Sequence, residues 1–381
     1  DVISAAQTVA RALFPLDSEL GALQPIVSSI LTRSIRFGIR AQVVCASCDE
    51  FGPPSSPPPS PPIELSKANI GGINSWDTYC GMGRFGANIT QSGLLLLPWD
   101  TDNDKPIEGG LKGYLGNHGT SLDEQEVPSQ IFPSNLGTFF DDVEELIEAT
   151  QARVFQLYHV WSGMMAAATG AAAILPDFMG YGVSYEHPRG YMNRAVYQQA
   201  NAVLWRKTQR MVLELSNGCT ILDPVANLGG FSEGGFASFV AGLALDEMGV
   251  EIITVQTGGS PFDLNFNVGW VIDKFDRGDF RPNLTYLLPF LGYAYSSTNP
   301  DLPNSNVGED LLAPSYLDEN NSDRNIITWM DGTPTFDQID SLLPTSPNVA
   351  INPAFVEETL DAVARETSFC SNPTPGVTAR L

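Results

Sequence analysis

Histidine is scarce in this sequence. His118, His159 and His187 are the only three in 381 residues, and they are not clustered. No zinc site can therefore be assembled around the single C-x-x-C pair, Cys45 and Cys48. Basic residues are also few. Twenty Lys and Arg against 44 Asp and Glu give a formal charge of -24, which repels phosphate backbones and anionic membrane surfaces, so no nucleic-acid partner is expected. Five cysteines are too few for a disulfide-built scaffold, though one or two bridges would suit a secreted protein. No internal repeat of solenoid or propeller length is present. The sequence opens at Asp1 without a charged-then-apolar leader and reads as a mature form whose signal has been removed.

What is present points to a large folded domain. Hydrophobic residues make up 43% of the chain, ample for a sizeable core. Three N-x-S/T sequons, at Asn88, Asn283 and Asn320, fit a glycosylated, extracellular protein. The stretch from Val154 to Pro176 carries no Asp, Glu, Lys or Arg but is interrupted by Gln156, His159, Ser162, Gly163 and Gly170. It reads as a buried helix running into a buried strand rather than a membrane span.

Three regions follow from the patterning. Residues 1–51 form an N-terminal helical segment, with apolar positions at helical spacing broken by Pro15 and Pro25. Residues 52–62, GPPSSPPPSPP, are a polyproline spacer that resembles the Ser-Pro stretches of cell-wall glycoproteins, consistent with a cell-wall or cell-surface location. Residues 63–381 alternate strand-like and helix-like segments, the sign of an α/β fold with a mainly parallel sheet flanked by helices. Within them, the turn-rich polar stretch at about 281–350 reads as a cap.

The chemistry centres on NLGGFSEGGFASF, residues 227–239, where Gly230, Ser232 and Gly234 form a Gly-x-Ser-x-Gly turn between a strand and a small-residue helix. Such a turn holds the serine strained and exposed at the strand end. The N–H of Glu233 then lies at the helix N-terminus, where a developing oxyanion is favoured. NHGT, residues 117–120, is a Gly-containing loop at another strand end, and its amides can supply further oxyanion donors. No metal ligand cluster or phosphate-binding loop is evident, so no cofactor is expected.

Together with LPDFMGYGVSYEHPRGYM and GGSPFDL, in this order and spacing, these motifs resemble the secreted α/β-hydrolases of the lipase and carboxylesterase group over about residues 65–360. The resemblance implies ester hydrolysis by a Ser-Asp-His triad, with Ser232 as nucleophile. Gly119, Thr120 and Glu233 become oxyanion donors through their backbones, and Asp177 and Tyr181 shape the pocket wall. Glu233 stands where the family commonly has Gln. The acid is less defined, with Asp263 of GGSPFDL as one candidate.

All three histidines precede Ser232, whereas the triad histidine of such enzymes follows it. Two readings remain open. In one, a segment beyond Leu381 or on a second chain completes the sheet and carries the acid and histidine. In the other, the protein is an inactive hydrolase-like component of an extracellular homo- or hetero-assembly.

Overall fold

The computed structural model describes residues 38–47, 50, 89–100, 102–121, 126–131, 154–263 and isolated positions between 267 and 357. The polyproline spacer, the three sequon asparagines, most of the expected cap and Cys48, Cys80 and Cys370 lie outside these residues. Cys45 and Cys219 carry free thiols.

Among the described residues seven strands form one sheet: β1 (Gly38–Ala46), β2 (Gln91–Asp100), β3 (Lys105–Pro106), β4 (Gly109–Asn117), β5 (Ala172–Pro176), β6 (Thr220–Phe231) and β7 (Glu251–Gly258). Their spatial order is β1-β2-β5-β4-β6-β7, with the short β3 beside β2. β1 and β2 are antiparallel, and so are β2 and β5, while β4 runs parallel to both β5 and β6, and β6 to β7. Strand Gly38–Ala46 departs from the helical reading of residues 1–51. Its Val43 and Val44 favour a pleated backbone, and β2 offers it an edge to pair with, a tertiary term absent from local periodicity.

β2 shows how the core is layered. Leu94 and Leu96 point to a cluster with Val160, Met164 and Ala167 of helix α2 (Val154–Ala168). Leu95 and Leu97 point the other way, toward Val203, Leu204, Trp205 and Val212 of helix α3 (Arg194–Leu215). Strand alternation thus explains why LLLL is continuous: both faces are covered. Each such leucine contributes roughly 2 kcal/mol by leaving water. The uncharged stretch from Val154 is indeed a helix followed by the buried β5. Among the described residues no helix is long and apolar enough to cross a membrane.

α3 starts where Asn193 accepts a hydrogen bond from the Ala195 N–H at 3.0 Å. Its Trp205 is fully buried over Gly113 of β4, where an added Cβ would meet ring carbons at 2.3 Å. Helix α4 (Glu233–Glu247) follows β6 directly and approaches the sheet through Gly234, Gly235, Ala237, Ala241 and Ala244.

The topology also locates a crevice. The chain leaves β4 toward β5 on one side and β6 toward β7 on the other, so the C-terminal ends of the adjacent β4 and β6 form a switch point, where open α/β sheets bind ligands.

Candidate active site

At this crevice Asn117 pairs with Gly230, so the loop after β4 runs beside the turn after β6. Ser232 stands between β6 and α4 with φ 55° and ψ -122°, a conformation that L-residues rarely adopt. Its N–H donates to the Gly258 carbonyl at 2.7 Å, and its own carbonyl accepts from Gly235 and Phe236 as α4 begins. The two flanking glycines are required by contact. A Cβ on Gly230 would lie 2.2 Å from the Gly234 oxygen, and one on Gly234 would lie 2.1 Å from the Asn117 oxygen and 2.5 Å from that of His118. The sequence pattern therefore reflects main chain packed on main chain.

Gly119 and Thr120 are half-buried beside this turn. The N–H of Glu233 opens α4, where helix geometry leaves it without an intrahelical acceptor. Asn117 donates to the Ser238 hydroxyl at 3.1 Å, tying the loop to α4. A cavity of about 370 Å³ lies at the ends of β4, β6 and β7, with Tyr114, His118, Gly119, Trp161 and Phe231 among its lining.

His118 is 2% exposed. Its Nδ1 lies 2.7 Å from the Gly119 oxygen and its Nε2 3.1 Å from the Asp177 oxygen, and its ring stacks against Phe178 at 4.3 Å. Burial holds its pKa below the usual histidine value, against the two carbonyls it faces, and the ring serves to fix the loop. His187 is exposed in the 3₁₀ turn region after β5, and the side chain of His159, on α2, lies outside the described residues. Asp263, five residues past β7, is exposed, and its carbonyl accepts from the Asn267 N–H at 2.9 Å.

Asp177 is fully buried and accepts from the Ser92 hydroxyl at 2.5 Å and the Ser129 N–H at 2.8 Å, while the Ser92 oxygen in turn accepts from the Val183 N–H at 3.1 Å. It thereby binds β2, helix α1 (Pro128–Ile131) and the turn that carries Tyr181. Asp177→Ala would strand these donors away from water, and we expect a loss of about 3 kcal/mol in urea unfolding. A loss under about 0.5 kcal/mol would show that water or a neighbour replaces the carboxylate.

Sequence reasoning identified Glu233 only for its backbone. Its side chain is 2% exposed. Oε1 accepts a short hydrogen bond from the Tyr197 hydroxyl of α3, and the carboxyl is also hydrogen-bonded by the Thr120 side chain, whereas Oε2 has no partner. Burial pushes its pKa up to about 7, against the hydrogen bonds from Tyr197 and Thr120 and the charge of Arg189. The one signal in the sequence was the acidic residue standing where the group it resembles commonly has Gln.

No protein-family model matches the chain, and no curated protein matches it. Among solved structures, a proposed hydrolase from Legionella pneumophila is similar at TM-score 0.50 and 20% identity, over 73% of this chain and 63% of that one. The rice cell wall degrading esterase LipA from Xanthomonas oryzae reaches 0.48 at 17% identity, over 77% and 65%. Candida antarctica lipase A reaches 0.41 at 14%, over 73% and 55%. The chain thus spans less than two thirds of the length of each of these three. The likeness is one of fold: a mixed, mostly parallel sheet flanked by helices in the α/β-hydrolase arrangement.

Proposed function

We propose that the protein is a serine hydrolase of carboxylic esters, with Ser232 as its nucleophile. The observation that carries this reading is the backbone of Ser232, held at φ 55° between β6 and α4 by glycines that admit no side chain. Strain of this kind persists only where the surroundings enforce it, and it lifts the hydroxyl clear of both strand and helix. Ser232 Oγ attacks the ester carbonyl carbon, and the amides of Glu233, Gly119 and Thr120 receive the oxyanion. The Oγ proton passes to a histidine, which then delivers it to the leaving alcohol; water reverses the sequence to release the acid.

That histidine is supplied by a further polypeptide segment, beyond Leu381 or on a second chain. Two observations favour this source. The ring nitrogens of His118 both face carbonyls. Ile253 and Val255 of β7 remain 47% and 38% exposed, apolar surface suited to being covered by more chain. The sequons and the acidic surface support an extracellular setting.

The test is labelling of the purified protein with a fluorophosphonate probe, followed by peptide and intact-mass mapping. We expect modification at Ser232, its loss in Ser232→Ala, and a histidine-bearing segment in the labelled material. Absence of labelling together with absence of any such segment would leave the alternative, an inactive extracellular assembly component.

A further inference from the structure

We propose that Glu233 supports ester cleavage only as the neutral carboxylic acid, so that Ser232 loses reactivity as pH rises. The inference rests on Ser232 being the nucleophile and concerns the residue beside it. The N–H of Glu233 is an oxyanion donor in that reading, and the carboxyl of the same residue is buried. An ionised carboxylate there opposes the negative charge that must develop on the substrate oxygen, in a place where water cannot screen it.

The hydrogen bonds from Tyr197 and Thr120 favour the carboxylate, but Oε2 is buried without a partner, which is costly for a charged oxygen. The link also positions the loop after β4, because Thr120 is tied through Glu233 to α3.

The groups around the carboxyl are few in kind. From α3 comes Tyr197, whose oxygen also accepts from the Met192 N–H at 2.7 Å and which interacts with Tyr191. From the loop after β5 come Tyr181 and Arg189, the guanidinium lying 4.3 Å from the Tyr181 ring centre, with Glu126 acting on Tyr181 from beside α1. From the loop after β4 come Thr120 and His118, the ring edge-on to Tyr181 at 5.8 Å. Arg189 and the helix dipole of α4 both favour the carboxylate. Burial outweighs them and places the titration at about 7.

The experiment compares fluorophosphonate labelling rates of the full chain and of Glu233→Gln from about pH 5.5 to about pH 8.5. Taking the ratio of the two proteins cancels the titration of the general base. We expect the ratio of wild-type to variant rate to fall at least about tenfold across that range. A ratio independent of pH overturns the proposal.

Thermal unfolding of the same pair supplies a reading independent of turnover. The fold favours the neutral acid, so the wild type loses stability as pH rises from the ordinary carboxylate range through about 7. The variant does not, and it should gain several degrees on the wild type. If neither protein is labelled at any pH, the nucleophile reading fails. A melting-temperature gap that does not open with pH overturns the neutral carboxyl in any case.

Discussion

Gly234→Ala is expected to abolish labelling of Ser232 and to lower stability by about 3 kcal/mol. The added methyl would sit 2.1 Å from the Asn117 oxygen and 2.5 Å from the His118 oxygen, both main-chain atoms at the end of β4. Neither can rotate aside. Asn117 is held by pairing with Gly230 and by its bond to Ser238, and His118 by its contacts with Asp177 and Phe178. Relief therefore requires α4 or the loop after β4 to shift, and either movement separates the amides that would receive the oxyanion. Denaturant unfolding and probe labelling of the same sample check both halves. A variant of wild-type stability that still labels would mean that the close approach is not what the turn requires.

Ser232→Gly is expected to do the opposite to the two properties. With φ 55° and ψ -122°, Ser232 occupies a region that glycine enters freely and serine does not. Removing the side chain relaxes that strain, and after allowing for the larger backbone entropy of glycine in the unfolded chain we expect a net gain of about 1 kcal/mol. Covalent labelling disappears with the hydroxyl. Ser232→Ala is the control, since it also loses the nucleophile but keeps a Cβ in the strained conformation, and it should gain nothing. Equal stability of the glycine and alanine variants would contradict a strained turn. Such an exchange of stability for reactivity is expected of a catalytic position rather than an ordinary helix start.

The parts of this fold that were legible in the sequence are those in which local pattern and tertiary role coincide. GGFSEGG, entered by a strand and left by a helix rich in Gly and Ala, announces both β6–α4 and the turn between them, because the small residues are themselves the packing requirement. VEIITVQTGG gives β7 and AAAILP gives β5 for similar reasons. Helix α3 begins only at Arg194, because Met192 has φ 56° and Asn193 caps the first turn. β1 was missed because the helical spacing of the preceding residues was carried over residues 38–46, which form a strand paired with β2. Nor was the burial of the Glu233 side chain. A glutamate next to a serine carries no sign that Tyr197, thirty-six residues upstream, will receive it.

The glycines around the site have a consequence for how a mutational survey of this protein would look. Gly230 and Gly234 each stand where an added carbon meets a main-chain oxygen at 2.2 Å or less. Scanning with alanine usually removes atoms and maps a site by what is missed. Around Ser232 the same scan adds atoms, so the surface of greatest sensitivity would be drawn by intolerance to growth. A survey that skipped glycines as featureless would report only the serine and pass over the frame that holds it.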